Sequence, residues 1–438
     1  MHRADGESRG SSGARQGRAF GALRHRDFRL LWCSAMGFHV SVWMQQVAQN
    51  WLLYELTGSA LHIGLNGVIR TVPFLVMSLY AGSIVDRTDR RKLLLTVECI
   101  LGTLILALSL LVVSGAVQVW HIYSFSFVTA VFAAFEIPAQ QALLPHTVPR
   151  EDLMTAVALN SMLRRGTQVI GPALGGLSIA AFGVPATFFI NCAGYVGLIT
   201  GIALMRSTNP PADRVHEPPL QSILEGLRYV RAERVIGSLL VLECLFSLCG
   251  SFNPLLVVLA REVYQVGPEG FGLLQSAPGI GTILGTLGIA MVGDVRQKGR
   301  LMIGAGIVYA LSVIAFAFCP FFLPAVALLA LSGAADFIRG TTRMTTLQLY
   351  ARGAMLGRVM GLDGMSTRGL GQFGGFTSST MSTLMGAPWA IAAGAIACLV
   401  ATLGVAWRVP EMRDLTDAPR DGGSINSSGE LAAPASAR

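Results

Sequence analysis

The chain has 438 residues, of which 52% are hydrophobic and 13% are charged. Its mean hydropathy of +0.56 lies in the range of integral membrane proteins and excludes an ordinary soluble domain. The formal net charge of +8 would also suit a nucleic-acid-binding protein. The basic residues border apolar segments, however. We therefore interpret the excess of positive charge as a ring of basic residues at the membrane surface, facing anionic lipid, and expect no nucleic-acid partner.

Twelve apolar segments follow one another along the chain, and most reach the roughly 20 residues that a helix needs to cross a bilayer. Their approximate limits are 28–53, 61–84, 93–114, 119–144, 156–182, 184–205, 236–260, 270–292, 301–319, 323–349, 357–383 and 387–407. This pattern predicts an all-α integral membrane protein with twelve transmembrane helices. All seven cysteines fall within these segments without a metal-type pair, so we expect no metal site and no cofactor.

Positive charge alternates between the gaps that separate these segments. The odd-numbered gaps hold only Arg261, whereas the even-numbered gaps and the tails hold nearly all other Lys and Arg residues. Those of the even gaps are Arg87, Arg90, Arg91, Lys92, Arg150, Arg206, Arg214, Arg228, Arg231, Arg234, Arg296, Lys298, Arg300 and Arg352. Under the positive-inside rule, the alternation predicts a multi-pass protein of the cell inner membrane with both termini in the cytoplasm.

The chain divides into two halves of six spans. The predicted parts are a disordered cytoplasmic tail at 1–20, an N-terminal bundle at 21–205, a cytoplasmic linker at 206–235, a C-terminal bundle at 236–408 and a disordered cytoplasmic tail at 409–438. The segment 159–166 resembles 362–369 at an offset of 203 residues. This match supports two pseudo-symmetric six-helix repeats with a transport site at their interface. Apolar spacing over 220–231 predicts an amphipathic helix on the inner membrane surface.

The gap between spans two and three reads Gly82-Ser83-Ile84-Val85-Asp86-Arg87-Thr88-Asp89-Arg90-Arg91-Lys92. It resembles the signature loop of the major facilitator superfamily, in which Gly, three residues, Asp and Arg precede further basic residues. Asp89 stands where that family usually has glycine. An ordinary basic loop would explain the arginines but not the spacing of Gly82 and Asp86.

The resemblance implies the twelve-span fold of that superfamily and a gate on the cytoplasmic side. The gate residues would be Gly82, Asp86, Arg87, Arg90 and Arg91. Asp86 would hold the inner face closed against the start of span eleven, near Gly357 and Arg358, where a helix N-terminus favours an anion.

Span five carries a second motif, formed by Gly171, Pro172, Gly175 and Gly176. It resembles the second half of the superfamily's antiporter motif, which implies exchange of substrate against an ion. The alternative is close helix packing without information about direction, because Gly171 and Gly175 form a small-xxx-small face.

A finer resemblance covers most of the chain. Its segments are Phe28-Arg29-Leu30-Leu31-Trp32, Trp51-Leu52-Leu53-Tyr54-Glu55-Leu56-Thr57-Gly58-Ser59, Pro138-Ala139-Gln140-Gln141-Ala142-Leu143-Leu144-Pro145 and Ala158-Leu159-Asn160-Ser161. They are similar to the branch of the superfamily that contains the enterobactin exporter and macrolide efflux proteins. The resemblance implies proton-driven export of siderophores or drugs.

Charged residues within spans cost at least about 2.5–3.5 kcal/mol each at mid-bilayer, so they need partners, water or a function. Glu136 and Gln140 share a face of span four, and Asp336, Arg339 and Arg343 share a face of span ten. By resemblance, both spans line a central cavity. Glu136 is the first candidate for proton coupling, with Asp336 and Arg339 as further candidates; the alternative is a permanent structural pair of Glu136 with Arg339.

Polar residues in spans one and two complete the candidate substrate cavity. Its candidates are Trp43, Gln46, Asn50, Arg70, Gln140 and Arg343. Amides and aromatic rings suit an amphipathic organic substrate better than a small ion. Glu98 lies near a span end, where solvation is the simpler interpretation.

These observations predict a secondary transporter that exports a small organic molecule by alternating access, with proton antiport. An uptake symporter or a lysophospholipid flippase on the same fold, and a transport-inactive membrane sensor, are the alternatives. Neither a catalytic constellation nor a nucleotide-binding P-loop occurs, so we expect no enzymatic activity. The expected partners are the substrate, protons and the lipid bilayer, and we expect a monomer.

Overall fold

The computed structural model describes residues 21–206, 219–293, 297–351 and 353–409. Nearly all of these residues are helical and none of them lies in a strand, which confirms the predicted all-α class. Residues 1–20, 207–218 and 410–438 lie outside the described part, so the predicted disorder of the tails stays a prediction.

Six spanning helices build the N-terminal half. Their bounds are α1 Arg26–Thr57, α2 Ala60–Arg87, α3 Arg90–Val113, α4 Val119–Leu143, α5 153–182 and α6 184–203. The last two form a continuous run, Leu153–Ala203, that is broken at Gly183, where φ is +80°. Glycine adopts positive φ without steric cost, so the chain can turn sharply at this position.

The C-terminal half starts with a linker helix, Pro219–Ala232, and continues with six spans. Their bounds are α7 Arg234–Val263, α8 Pro268–Val292, α9 Lys298–Ala317, α10 Phe322–Tyr350, α11 353–385 and α12 Ala387–Arg408. π-Helical turns occur at Leu259–Val263 in α7 and at Ser366–Leu370 in α11. Such single turns are frequent at functional positions.

Nine of the described helical segments are long and apolar enough to cross a membrane, and one of them, Arg150–Ala203, contains both α5 and α6. The two further spans, α1 and α11, do not meet that criterion. The first carries a polar stripe that includes Gln45, Gln46 and Gln49, and the second is rich in Gly, Ser and Thr over Gly371–Met385. The twelve spans follow the order of the twelve predicted segments.

Side-chain caps determine where α2 and α3 begin. Ser59 accepts a hydrogen bond from the backbone N–H of Leu61 at 3.3 Å. Asp89 accepts bonds from the backbone N–H groups of Arg91 and Lys92, at 3.1 and 3.2 Å. Its φ is −63°, so this position does not require the glycine that the motif usually has, and the aspartate caps α3 instead.

We call the end of the spans that carries residues 87–92 and the linker helix the basic end, and the other end the opposite end. At the opposite end, one hydrophobic core joins both halves; it includes Trp51 and Leu108 from the first half and Phe252 and Phe316 from the second. At the basic end, each half has its own core. The two bundles therefore meet at the opposite end and separate towards the basic end.

Two pairs of helices form most of the contact between the bundles: α5 with α8, and α2 with α11. Gly176 and Gly272 bring α5 and α8 so close that a Cβ on Gly176 would lie 3.0 Å from the Cα of Gly272. Towards the basic end of the same helices, Met162 and Met291 are 73% and 87% exposed. This contact is therefore tight at the opposite end and open at the basic end.

Candidate functional site

A small polar cavity of about 100 Å³ lies among α1, α2, α3, α4 and α6. Its lining includes Gln46, Arg70 and Glu136, three of the residues predicted for the substrate cavity or for proton coupling. We call this cavity the N-bundle site. Phe38, Phe125 and Tyr195 add aromatic surface, so the site combines amides, a cation, a carboxylate and rings.

Glu136 is half-buried, and its direct partner is an amide. Gln140, one turn further along α4, donates a hydrogen bond to its carboxylate at 3.2 Å. The charged groups that act on Glu136 are Arg164 of α5 and Arg70 of α2. The carboxylate is therefore surrounded by positive charge but does not form a close ion pair with another described residue.

Neighbouring amides form a separate hydrogen-bonded chain in the same cavity. Gln45 donates to Gln49 at 2.8 Å, and Gln49 donates to the hydroxyl of Ser126 at 2.7 Å. This chain connects α1 with α4 and leaves Gln46 with no described hydrogen-bond partner in the wall of the cavity. Gln46 is thus available to a ligand.

The structure contradicts the interpretation of Glu98 as a solvated residue near a span end. Its exposed fraction is 0%, and neither carboxylate oxygen has a hydrogen-bond partner among the described residues. Glu136 is one of its electrostatic neighbours. The sequence did not reveal this burial because it depends on how α3 packs against α4 and α6. A buried acid without a protein partner is a candidate for proton binding.

The predicted residues of α10 lie in a separate ion network in the C-terminal bundle. Arg339 donates to Glu243 of α7 at 2.7 Å, and Arg343 pairs with the same carboxylate. Arg343 also pairs with Asp363 of α11 at 3.2 Å. These four residues are between 4% and 7% exposed, so three helices are held together by buried charge.

Asp336 lies at the exposed edge of this network. It pairs with Arg339 at 2.8 Å, and its side chain is 52% exposed. Arg339 also lies 3.9 Å from the ring centroid of Phe246. The structure therefore corrects the alternative interpretation of Glu136: the described partners of Arg339 are Glu243 and Asp336 and not Glu136.

Trp43 and Asn50 are half-buried residues of α1 that do not line the N-bundle site. Trp43 packs against the glycine motif of α5: a Cβ on Gly171 would lie 3.2 Å from Cγ of Trp43. Similarly, a Cβ on Gly175 would lie 2.9 Å from the Cα of Met44.

The glycine motif therefore allows α5 to pack closely against two other helices. Gly171 and Gly175 bring α5 close to α1, and Gly176 brings α5 close to α8 in the other bundle. Pro172 is buried between these glycines. This geometry is what close packing of small residues predicts.

Two predicted gate residues at the start of α3, Arg90 and Arg91, contact other parts of the N-terminal bundle. Arg91 donates to the carbonyl oxygens of Ile202 and Ala203, at 3.1 and 2.7 Å, and so caps the C-terminal end of α6. Arg90 is 8% exposed and contacts His146 at 3.3 Å.

The remaining gate residues have fewer described contacts. Gly82 has open space around it and Arg87 is exposed. The side chain of Asp86 lies outside the described part of the structure. Arg358, its predicted counterpart in α11, pairs with Glu225 of the linker helix at 2.8 Å.

A polar cluster that the sequence did not predict connects the bundles at the opposite end. Tyr54 of α1 donates to Glu262 of α7 at 2.5 Å, and Arg261 of α7 pairs with Glu55 of α1 at 3.0 Å. The guanidinium of Arg261 also lies 4.5 Å from the ring centroid of Trp51. We call these five residues the cross-bundle cluster. A signal was present in the sequence, since Arg261 is the single basic residue of the odd gaps.

Twelve spanning helices in two bundles, with polar and charged side chains held inside them, define a membrane transporter of the major facilitator type. Residues 17–427 match the model of the transmembrane secretion effector family of that superfamily, and the chain belongs to this family. The family predicted from the signature loop is thereby confirmed.

Curated relatives include the enterobactin exporter EntS of Shigella boydii serotype 18 (strain CDC 3083-94 / BS512). It is 28% identical over 339 residues, which cover 77% of this chain and 81% of the exporter. EntS of Escherichia coli O1:K1 / APEC matches to the same extent.

Solved structures of transporters share the fold. A bacterial homologue of the human lysosomal transporter Spinster, in an inward-facing and unoccupied conformation, matches with a TM-score of 0.67 and 13% identity. The match covers 93% of this chain and 100% of that one. A mutant of the nucleoside transporter NupG gives a TM-score of 0.72 at 12% identity, over 88% of this chain and 100% of that one. At sequence identities this low, the similarity shows a shared fold only.

Proposed function

We propose that this transporter exports a small organic molecule across the bacterial inner membrane by alternating access, driven by proton antiport. The observation that carries the proposal is the N-bundle site, where Glu136 shares one cavity with Arg70 and Gln46. A half-buried carboxylate close to cations, but without a fixed ion pair, can exchange a proton without breaking a salt bridge. The similarity to enterobactin exporters supports export as the direction.

The substrate class follows from the lining of the N-bundle site. Aromatic rings can contact a planar or apolar part of the substrate, while Gln46 and Arg70 can bind hydroxyl or anionic groups. The chemistry of this lining suits a siderophore, a drug or a metabolite of amphipathic character. The cavity of about 100 Å³ is smaller than the roughly 300–1,000 Å³ of sites for drug-sized ligands, so binding of such a substrate requires the cavity to widen. Protons supply enough energy for export, because one proton crossing about 100 mV supplies roughly 2.3 kcal/mol, which supports a gradient of about 50-fold.

We also propose the orientation of the chain. The basic end faces the cytoplasm, since the positive charges of the even gaps and of the linker helix lie there. The bundles separate towards this end, so the structure corresponds to an inward-facing state. The boundary between the bundles would be the linker 206–235, and the transporter would act as a monomer.

Labelling of single cysteines tests the orientation. Ala232 ends the linker helix, and Ala116 lies in the exposed connection between α3 and α4. In a chain without its own cysteines, Ala232→Cys should react with an impermeant maleimide only in inverted vesicles, and Ala116→Cys only in right-side-out vesicles. Reaction of both from the same side would contradict the orientation.

Transport into inverted membrane vesicles tests the function. With enterobactin as the first substrate and a macrolide as the second, we expect accumulation when the vesicle interior is acidic and release when a protonophore is added. Accumulation in right-side-out vesicles would instead indicate an uptake symporter, and translocation of lysophospholipid would indicate a flippase. Ligand binding without counterflow would indicate a sensor.

A further inference from the structure

An apolar groove opens at the basic end of the C-terminal bundle, apart from the sites described above. It encloses about 1410 Å³ between α7, α11, α12 and the linker helix, and Leu75 of α2 lies at one side. Pockets for drug-sized ligands measure roughly 300–1,000 Å³. Most of the wall is hydrocarbon, including Val241, Leu245, Phe373, Val400 and Trp407. The groove is therefore large enough and apolar enough for a ligand with long hydrocarbon chains.

Three cations lie in the same lining: Arg231, Arg234 and Arg408. All three are exposed, and none of them has an ion pair or hydrogen bond with another described side chain. Glu233 is the one acidic residue of the lining. The mouth of the groove is therefore positive, and guanidinium groups bind phosphate oxygens in a bidentate manner.

Sequence position explains why these charges meet. Arg231 lies in the last turn of the linker helix, Arg234 begins α7 and Arg408 ends α12. All three positions are at the basic end, at the level where a bilayer places its head groups. The apolar part of the lining begins next to these arginines and continues along α7, α11 and α12 towards the opposite end.

We infer that the groove binds an anionic phospholipid, with its acyl chains against α7, α11 and α12 and its phosphate on the three arginines. A zwitterionic lipid such as phosphatidylcholine would fill the hydrocarbon part and carries the same phosphate, but its choline ammonium offsets the phosphate charge and adds a cation at the positive mouth. Leu75 and Gly369, where α2 meets α11, belong to the same wall. A bound lipid would therefore touch both bundles. The inference is independent of the direction of transport and of the role of Glu136.

Native mass spectrometry of the full chain in detergent tests the head-group assignment. Phosphatidylglycerol and phosphatidylcholine are added at equal concentration, and we expect preferential retention of phosphatidylglycerol. Each of Arg231→Gln, Arg234→Gln and Arg408→Gln should weaken its binding roughly 5-fold and leave phosphatidylcholine unchanged. The matched control is Arg228→Gln, an exposed arginine of the same linker helix that does not line the groove.

Filling the groove tests the position of the acyl chains. Gly404 lies in the wall and Gly304 is exposed on α9; a Cβ at either position would have no atom within 4 Å. Both can therefore accept a larger side chain. Gly404→Phe should reduce phosphatidylglycerol binding at least 10-fold, whereas Gly304→Phe should retain it.

Four results would overturn the inference. Equal affinity for the two lipids, or equal losses in Arg228→Gln and Arg231→Gln, would refute selection of an anionic head group by the three arginines. Undiminished binding by Gly404→Phe would refute the groove. Complete displacement of the lipid by inorganic phosphate would mean that the arginines hold a free anion rather than a lipid.

Discussion

Glu136 differs from Glu243 and Asp363 because no arginine is bound to it directly. Its partner is Gln140, whereas Glu243 and Asp363 are paired with arginines. Removing the charge of Glu136 leaves no buried cation without its partner. This difference supports a proton-carrying role for Glu136 and a structural role for the network of α7, α10 and α11.

Glu136→Gln should therefore abolish export driven by a pH gradient while preserving downhill exchange of substrate. The amide resembles the protonated acid in shape and hydrogen bonding but cannot release a proton. Transport is measured in inverted vesicles with and without an imposed gradient, and Glu136→Asp serves as the conservative control. Should Glu136→Gln still respond to the gradient, Asp336 and Glu98 would become the next candidates.

The buried network predicts a different result for Glu243. Glu243→Gln leaves Arg339 and Arg343 without their shared carboxylate, which should cost about 3–5 kcal/mol of stability. Asp336→Asn removes an acid with a half-exposed side chain and should cost at most about 1 kcal/mol. Thermal unfolding of both variants in detergent measures the difference. Similar melting temperatures would mean that the network contributes little to folding.

Single residues also mark the limit of what could be predicted from the sequence. Arg70, Gln46 and Glu136 were predicted from polarity within apolar spans, and they do share a cavity. The partner of Arg339 in span ten could not be predicted, because Arg339 contacts Glu243 at a distance of 96 positions along the chain. Such pairs depend on the rotation of each helix about its axis, which hydropathy does not report.

At the scale of elements, the span order and most span limits could be predicted, because length and hydropathy determine where a chain can cross a bilayer. The break between α5 and α6 also fell at its predicted place, where Gly183 adopts positive φ. The π-helical turn at Ser366–Leu370 could not be predicted, since it results from local backbone packing in α11. The sequence showed that Asp89 replaces the motif glycine, but the reason became clear only from the capping bonds of Asp89.

The glycine motif of α5 gives a test at this scale. Gly176→Ala would place a Cβ against the backbone of α8, and overpacking of this kind costs about 1–3 kcal/mol. Gly166 lies on the same helix in open space, so Gly166→Ala should instead stabilise the helix by up to about 1 kcal/mol. Melting temperatures should change in opposite directions. Equal changes would show that α5 and α8 do not meet closely at Gly176.

For the whole molecule, the cross-bundle cluster is expected to stabilise the state that is closed at the opposite end. The pair of Arg261 with Glu55 is partly exposed and contributes at most about 1 kcal/mol, whereas the bond from Tyr54 to Glu262 contributes about 1.5–3 kcal/mol. Tyr54→Phe together with Arg261→Gln should therefore favour the alternative state about 10-fold or more. Accessibility of a cysteine at the half-buried Gly267 would report the change, with the exposed Ala116→Cys as the control. Unchanged labelling at Gly267 would exclude a gating role for the cluster.

Alternating access itself is tested most directly by two distances measured in the same protein. Spin labels at Met162 and Met291 report the basic end of α5 and α8, and labels at Ala116 and Leu384 report the opposite end; all four positions are exposed. Pulsed electron–electron double resonance measures both distances. When substrate is added or the pH is changed, the distance at the basic end should shorten while the distance at the opposite end lengthens. Two distances that stay constant, or that change in the same direction, would contradict transport by alternating access.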